Sequence, residues 1–337
     1  MSKFLSVFLI CFCFASVTYG QGIGGQFIQP LKCTLGKDCW IPNYVDHQLG
    51  PGATDYACGK ATYDAPPGAQ HKGTDFAIRD LSVMQAGVEV LAAAPGTVVG
   101  VRDGVVDEKY SPKKHDKVRN RECGNAVRIE HVNGFTTQYC HLRKGSVRVR
   151  SGQKVQQGDI LGFVGLSGQT AFPHLHFQVA QGKTIVDPFV GLSRKTSCGQ
   201  GDWPLWDRST LAALPYQPTA IYNAGFAPTQ PNRDEMGKGT YRIYDTQPFP
   251  ANAQALVVWV ELFRVMVGDK VALTIHGPDG RVMHSQVAPI KADKAYQFYF
   301  TGKRLRHEAW PKGRYRGVFE LRRNGEKIIA EREIEIR

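Results

Sequence analysis

The feature that most restricts the fold of this 337-residue chain is a series of short β-branched runs, each followed by glycine or another turn residue. Six runs lie at 88–92, 96–101, 126–131, 135–140, 159–164 and 174–179. Runs of this length and spacing predict strands, and the glycines between them leave little room for helices. The sequence therefore predicts an all-β domain over residues 56–207.

A second group of strand-like runs predicts another β domain over residues 251–337. These runs lie at 256–262, 270–275, 282–287, 296–300, 315–321 and 327–336, and Asn324-Gly325 is a strong hairpin signal. Several strands within about 90 residues predict a small immunoglobulin-like β-sandwich. Between the domains, residues 208–250 contain prolines at 215, 218, 228 and 231 among polar residues and are interpreted as a Pro-rich linker. Residues 21–55, rich in Gly and Pro, are interpreted as an N-terminal extension, with an inhibitory role left open.

The first twenty residues have the pattern of a secretory signal peptide. Lys3 supplies the positive charge, residues 4–17 are apolar apart from two serines, and the small Gly20 precedes a polar stretch. The alternative is an uncleaved anchor, but the run is shorter than the roughly 20 apolar residues of a spanning helix. No later stretch is long and apolar enough to span a bilayer. We therefore expect a periplasmic or secreted protein with no transmembrane helix after cleavage at residue 20.

Removal of residues 1–20 would leave six cysteines, an even number that favours disulfides in an exported chain. Six cysteines allow 15 pairings, and the sequence does not choose among them. Local arguments favour Cys33 with Cys39 across a short loop, and Cys123 with Cys140 across a predicted hairpin. Cys58 would then pair with Cys198. A structural zinc site is the less favoured alternative, because the sequence has no CxxC pair.

The charge of the chain is strongly positive, with 42 Lys and Arg against 30 Asp and Glu and a formal net charge of +12. Such a charge can serve solubility alone, or it can attract an anionic cell-wall or envelope surface. Nucleic acid is not expected as a partner, because the sequence has no recognisable basic helix or aromatic platform motif. The hydrophobic share of 42% excludes a disordered chain.

Three short stretches of the first domain contain most of its histidines. They are HKGTD at 71–75, QYCHL at 138–142 and PHLHF at 173–177. A catalytic zinc binds three nitrogen or oxygen ligands and keeps a fourth position open. His174 and His176 would share one face of a strand, because side chains two residues apart do so. His71 and Asp75 would lie about 13 Å apart on an extended strand, so they can share an ion only if the backbone folds back near Gly73.

These stretches belong to a longer series of motifs. The series comprises HKGTDFAI at 71–78, VLAAAPGTVV at 90–99, GNAVRIEH at 124–131, TQYCHL at 137–142, GDILGFVGLSGQT at 158–170, PHLHFQV at 173–179 and VDPF at 186–189. With them, residues 56–189 resemble the lysostaphin-type (LytM-type) zinc metallopeptidases, which cleave peptide bridges and stems of peptidoglycan. The resemblance implies a lysostaphin-like antiparallel β-sheet peptidase domain. An insertion at about 103–121 and the extra cysteines lie outside the family pattern.

The resemblance also implies the residues of the site. His71, Asp75 and His176 are implied as ligands of one Zn²⁺, and His141 and His174 as the catalytic pair. The two catalytic histidines would divide general-base catalysis and oxyanion stabilisation in either order. The implied protein is an exported zinc metalloendopeptidase that hydrolyses peptide bonds in peptidoglycan cross-links or stems through a zinc-activated water.

One alternative from another class is a non-catalytic LytM-like protein that binds the wall or regulates other wall hydrolases. Degenerate members of this kind typically lose site residues, whereas this chain has the expected residue type at all five positions. The sequence thus favours an enzyme. It leaves open whether glycine-rich bridges or D-alanyl cross-links are cut.

Overall fold

The computed structural model describes residues 26–64, 69–112, 118–193 and 196–337. The predicted signal peptide at 1–20 lies outside the described residues, as do residues 21–25 of the predicted extension. Strands dominate these described ranges, and the α-helices in them are six residues long. The predicted all-β class is therefore confirmed. Within the described ranges, no helix has the length and apolar character needed to cross a bilayer.

The largest sheet has eight antiparallel strands. These are β1 (Cys39–Asn43), β2 (Thr74–Ile78), β4 (Gly96–Arg102), β5 (Asn125–Glu130), β6 (Phe135–Leu142), β7 (Lys154–Val155), β9 (His174–Gln181) and β10 (Thr184–Ile185). Their order is β1-β2-β9-β6-β5-β4-β7, and β10 pairs with β9. Strands β3 (Glu89–Leu91) and β8 (Ile160–Phe163) form a separate two-stranded sheet. Helix α1 (Leu81–Ala86) follows β2 and is capped by the Asp80 side chain.

Alternation of side chains along β9 determines which residues face the core. Leu175, Phe177 and Val179 are fully buried or nearly so, and Phe177 packs against the buried Trp206. His174 and His176 occupy the intervening positions, and side chains at such positions lie on the opposite face of a sheet. The sequence pattern PHLHFQV therefore builds an apolar core on one side of β9 and leaves two imidazoles on the other.

Strand β1 lies inside the segment interpreted as an N-terminal extension. It pairs with β2 and forms an edge of the large sheet, so this part of residues 21–55 belongs to the first domain. All five of its residues are buried. A strand buried on both faces has no alternation of apolar and polar residues, which explains why the sequence did not reveal it.

The second domain has two sheets that face one another. Its strands are β11 (Ala220–Ala227), β12 (Ala255–Val265), β13 (Lys270–His276), β14 (Val282–Pro289), β15 (Lys294–Arg304), β16 (Gly313–Arg323) and β17 (Glu326–Ile336). One sheet has the order β11-β12-β15 and the other β14-β13-β16-β17. Phe226 and Val258 from the first sheet share an apolar cluster with Leu273 and Phe319 from the second. This arrangement is a β-sandwich, and its immunoglobulin-like character remains a prediction.

The segment interpreted as a Pro-rich linker is more structured than that interpretation requires. Residues 208–250 contain β11, helices α2 (Arg208–Ala213) and α3 (Arg233–Lys238), and a 3-10 helix (Thr240–Asp245). The four prolines that suggested a linker flank β11 instead of interrupting it, at 215, 218, 228 and 231. Proline is tolerated beside a strand, so this composition does not exclude one.

The two domains are in contact through β1 and the β11-β12-β15 sheet. The buried Trp40 of β1 packs edge-to-face against Tyr222, with ring centroids 6.1 Å apart, and shares an apolar cluster with Phe263. Beside this cluster, Arg79 of the first domain lies 3.5 Å from Asp245 of the second. The contact places the second domain against β1, the edge strand that pairs with β2.

Candidate active site

The candidate metal ligands lie on adjacent strands and in the loop before one of them. Strands β2 and β9 run antiparallel with Asp75 opposite His176, so both side chains lie on the same face. Asp75 Oδ1 is 2.9 Å from His176 Nδ1 and 3.1 Å from His71 Nε2, and the two imidazole nitrogens are 3.1 Å apart. One ligand atom from each residue lies within 4.8 Å of the others. This set of two imidazoles and one carboxylate fits a catalytic zinc site.

The chain folds back before β2, as the close approach of His71 and Asp75 requires. Gly73 occupies the turn, and its backbone lies against β9. A β-carbon at this position would lie 2.6 Å from Phe177 O and 2.7 Å from the His176 ring, so no other residue fits without displacement of β9. The structure thus favours the fold-back alternative that the sequence left open. Close approach, and not a positive φ angle, accounts for the glycine.

His141 and His174 lie together on the same face, beside the Asp75 and His176 side chains. Their ring centroids are 4.7 Å apart, and His174 Nε2 is 3.5 Å from Asp75 Oδ1. His141 Nδ1 is 2.8 Å from Ser167 O, and His174 Nδ1 is 3.0 Å from Phe172 O. Since a carbonyl only accepts hydrogen bonds, both Nδ1 atoms are the protonated ones. Each ring in its neutral form can therefore accept a proton at Nε2.

The backbone of His141 adopts an unfavourable conformation that its neighbours maintain. Its φ angle is +62°, a region that costs a non-glycine residue about 1 kcal/mol or more. Its N–H donates to Cys123 O at 2.8 Å, and Cys123 is bonded to Cys140, the residue before His141. The Cys123–Cys140 disulfide thus lies directly beside a candidate catalytic residue. The structure also contains Cys33–Cys39 and Cys58–Cys198, in agreement with all three predicted pairs.

The buried charges of the site shift the pKa values of its residues in different directions. Burial lowers the pKa of His71, but the charge and the hydrogen bond of Asp75 outweigh burial and raise that pKa above its usual value. Burial raises the pKa of Asp75, but the charges of His71 and His174 outweigh it and hold that pKa well below its usual range. Burial lowers the pKa of His176, and burial together with the neighbouring His174 and His176 lowers the pKa of His141 well below its usual range. Asp75 is therefore ionised and His141 neutral at pH 7.

Two polar side chains that sequence reasoning missed lie behind Asp75. The buried Asn43 of β1 donates from Nδ2 to Asp75 Oδ2 at 2.7 Å. Arg264 of the second domain donates from Nη2 to Asn43 Oδ1, and from Nε to Pro42 O at 3.2 Å. A lone Asn in the apolar run CWIPN was a usable signal for the first. Nothing in the sequence near Arg264 indicates this contact, because 189 positions of chain separate it from Asp75.

Tyr63 is a third side chain near the site that the sequence did not single out. Its ring lies over His71 with the centroids 4.5 Å apart, and 37% of the residue is exposed. The ring shields one side of a candidate ligand, and burial raises the pKa of the Tyr63 hydroxyl well above its usual range. Among the described residues, the two other histidines of the first domain have different partners: His47 contacts Asp187, and His131 contacts Pro95 O and Thr137.

A comparison with family models identifies the domain that carries this site. Residues 69–188 match Peptidase family M23. These residues form a peptidase family M23 domain. The match contains all five candidate residues and the whole of β2 through β10, and the LytM-type resemblance seen in the sequence is thereby confirmed.

Several characterised bacterial proteins are similar to the M23 domain. Peptidoglycan DD-endopeptidase ShyA of Vibrio cholerae is 34% identical over 118 residues, which cover 35% of this chain and 22% of ShyA. The DD-carboxypeptidase/endopeptidase Mpg of Neisseria meningitidis is 32% identical over 105 residues, or 31% of this chain and 22% of Mpg. Cell division protein DipM of Caulobacter vibrioides is 41% identical over 77 residues, or 21% of this chain and 12% of DipM. The chain thus spans less than a quarter of each relative.

Solved structures of a zinc-containing peptidase and of an antimicrobial peptidase also align with this chain. A zinc-containing peptidase from Vibrio cholerae aligns over 49% of this chain and 39% of its own, with 23% identity and a TM-score of 0.33. The catalytic domain of lysostaphin from Staphylococcus simulans aligns over 42% and 86%, with 24% identity and a TM-score of 0.27. These scores are low, and the family assignment does not depend on them.

Proposed function

We propose that this protein is an exported zinc metalloendopeptidase that hydrolyses peptide bonds in peptidoglycan. The observation that carries the proposal is the buried His71–Asp75–His176 set next to the His141–His174 pair, all within one M23 domain. A metal-binding role alone would not need the second pair of imidazoles. The peptidoglycan endopeptidases among the relatives support the choice of substrate.

His71 Nε2, Asp75 Oδ1 and His176 Nδ1 would hold one zinc ion. His71 donates from Nδ1 to Tyr44 O at 2.7 Å, a contact that leaves Nε2 as its ligand atom. A bound zinc ion supplies Lewis acidity, which polarises a peptide carbonyl and makes water a stronger acid. With only three protein ligands, the set leaves room for water and substrate.

His141 and His174 would handle the proton and the developing negative charge. Each presents an Nε2 that can accept a proton from water, because its Nδ1–H is held by a backbone carbonyl. A ring protonated at both nitrogens becomes a donor, and it can then stabilise an oxyanion or protonate the leaving amine. The fixed Nδ1 contacts keep both rings oriented during these steps.

The proposed location is the periplasm or the cell exterior. Three disulfides in the described residues support an oxidising compartment, and the signal-like residues 1–20 support export. The net charge of +12 would favour approach to an anionic wall or envelope surface.

The test is hydrolysis of defined muropeptides by the protein without residues 1–20. We expect fragments from peptide-bond cleavage in mass spectrometry, loss of activity after treatment with a zinc chelator, and recovery with about one equivalent of Zn²⁺. Wall binding without hydrolysis of any cross-linked or stem peptide, by protein loaded with zinc, would contradict the proposal and favour the non-catalytic alternative.

A further inference from the structure

We propose that Arg264, in the β-sandwich, is a positioning residue for the metal site of the M23 domain and acts on Asp75 through Asn43. The inference rests on the proposed zinc site, which it extends by a contribution from the second domain. It assigns the sandwich a part in forming the metal site, in addition to any role on the wall.

The contacts form a continuous path from the second domain to the ligand. Arg264 Nη2 donates to Asn43 Oδ1, and Asn43 Nδ2 donates to Asp75 Oδ2 at 2.7 Å. Asn43 is 6% exposed and Asp75 is 1% exposed, so water does not readily replace either bond. Asn43 and Asp75 are also cross-strand neighbours on β1 and β2.

This path determines which oxygen of Asp75 faces the histidines. Oδ2 accepts from Asn43, while Oδ1 faces both His71 and His176. The amide of Asn43 can serve Oδ2 only if its NH₂ group points toward Asp75. Arg264, which has donors and no acceptor, favours this orientation because it requires the amide oxygen on its own side. Without Arg264 the amide could rotate and bring its oxygen against the carboxylate.

The backbone of the second domain is built to aim Arg264 at this point. Strand β12 pairs with β15 through Phe263 and Val265 but not through Arg264, whose φ angle is +53°. A positive φ angle turns the backbone away from the regular strand conformation and redirects the side chain, and it costs a non-glycine residue about 1 kcal/mol or more. Arg264 therefore leaves the regular strand and extends across the domain contact to β1.

A salt bridge beside Arg264 holds this backbone in position. Arg323 donates from Nη2 to Arg264 O at 2.7 Å and makes two further hydrogen bonds to Asp269, at 2.9 and 2.7 Å. Asp269 is 2% exposed, so the pair is shielded from solvent. The sandwich thus holds the backbone of Arg264 in place, and a residue that positions another side chain needs such support.

The test measures Zn²⁺ binding by competition with a chelator of known affinity, in the full chain without residues 1–20. We expect Arg264→Gln and Asn43→Ala each to raise the dissociation constant of Zn²⁺ about 10–100-fold, the usual effect of losing a partner of a metal ligand. In the Asn43→Ala background, Arg264→Gln should change that constant less than about twofold, because both act on the same carboxylate. The Co²⁺-loaded Arg264→Gln variant should also show an altered visible absorption spectrum.

Arg332→Gln is the matched control. Arg332 is also half-buried in the sandwich and donates to a backbone carbonyl, Ala224 O at 3.2 Å, but it lies outside the path to Asp75. Its removal should leave Zn²⁺ affinity within about twofold of wild type. Arg264→Lys retains a donor for Asn43 Oδ1 and should restore part of the affinity, and it also serves if Arg264→Gln does not fold.

Unchanged Zn²⁺ affinity and Co²⁺ spectrum in Arg264→Gln, or fully additive effects of the two substitutions, would overturn the inference. Neither readout needs a peptidoglycan substrate. Wild-type protein that binds Zn²⁺ and hydrolyses no muropeptide would overturn the proposed function and leave this inference intact. Normal muropeptide hydrolysis together with unchanged Zn²⁺ affinity in Arg264→Gln would overturn this inference and leave the proposed function intact.

Discussion

In three of the four histidines of the site, Nδ1 makes a hydrogen bond to a backbone carbonyl oxygen. His71, His141 and His174 each hold a backbone carbonyl oxygen at Nδ1, at 2.7, 2.8 and 3.0 Å. Hydrogen bonds of this kind fix both the tautomer and the orientation of the ring. His176 differs, because its Nδ1 faces Asp75 and His71. His71 and His176 differ from His141 and His174 in proposed role because of where each ring lies relative to Asp75.

Substitution at four of the five site residues should separate metal binding from catalysis. Asp75→Ala and His176→Ala remove ligand atoms, so both should lose stoichiometric zinc. His141→Ala and His174→Ala should keep zinc and lose at least about 100-fold in muropeptide hydrolysis, the lower range for lost acid–base catalysis. Zinc content and turnover of each purified variant provide the measurement. Normal turnover in His141→Ala, or full zinc affinity in His176→Ala, would disprove the assignment concerned.

Buried His131 should make stability fall on the acid side of neutrality. Burial lowers its pKa, which the hydrogen bond to Pro95 O only partly opposes, and Thr137 Oγ1 lies 2.7 Å from its other nitrogen. Above pH 6.5 His131 is neutral in both states and has no effect. As the pH falls from about 6.5 toward the lowered pKa, the unfolded state binds the proton first, so stability decreases by at most about 1.4 kcal/mol per pH unit.

The free energy of unfolding of wild type and His131→Gln, measured from pH 7.5 to 5, checks this prediction. The other histidines are common to both proteins, so the difference between the two curves isolates His131. We expect a shallower decline for the variant below pH 6.5. Parallel curves over this range would show that His131 titrates alike in both states.

At the scale of strands and loops, the site depends on how closely β2 and β9 approach. Gly73 provides the clearest test, because a β-carbon there would meet the backbone oxygen of Phe177 at 2.6 Å. Backbone cannot rotate aside as a side chain can. We therefore expect Gly73→Ala to weaken zinc binding at least about 10-fold, although it alters no ligand. The added methyl group would push β9 away from β2 and so change the spacing of the candidate metal ligands.

Gly100→Ala is the matched control for this substitution. Gly100 also lies in a strand of the large sheet, β4, and a β-carbon there would have no atom within 4 Å. Zinc titration of both variants should show normal affinity for Gly100→Ala. Equal affinities of the two variants would mean that the spacing between β2 and β9 tolerates the added methyl group.

Much of the fold was predictable because the signals are local. All six runs predicted in the first domain and all six in the second coincide with strands, and the Asn324-Gly325 turn joins β16 to β17. Strands β1, β2, β7, β10 and β11 were not predicted as strands. CWIPN lacks alternation because it is buried on both faces, and β11 lies among prolines that suggested a linker. Pattern reasoning detects periodicity, and these segments have little of it.

The site was predictable in part for the same reason. His174 and His176 are two residues apart on one strand, and this spacing alone predicts that their side chains share a face. His71 and Asp75 do not, and only the fold-back at Gly73 brings them together. Arg264 could not be predicted at all, because its role depends on how two domains pack. Tertiary contacts of this kind leave no trace in local sequence.

At the scale of the whole molecule, two cores meet at a contact of mixed character. The first domain has its own apolar cluster and the sandwich has another, and between them lie Trp40, Ala220 and Phe263. Charged pairs such as Arg79 and Asp245 border this contact. The contact therefore combines apolar packing with ion pairs.

The net charge of +12 predicts binding to the cell wall that depends on salt. Exposed charges attract over about 8 Å at physiological ionic strength and over about 3 Å at 1 M salt. We expect the protein to bind insoluble anionic wall at low salt and to be released as salt rises toward 1 M, in a sedimentation assay. Wall stripped of its anionic polymers is the control and should bind less at low salt. Retention that does not change with salt would assign the positive charge to solubility.

The bond between Cys58 and Cys198 joins residues 140 positions apart, and every candidate site residue lies in the ring of chain that it closes. A single cut anywhere in that ring would leave both pieces covalently attached to each other. The pieces would then stay at high effective concentration and could keep a nicked domain assembled. Reduction of this bond would remove the covalent link between the pieces of a nicked domain and leave them held by packing alone.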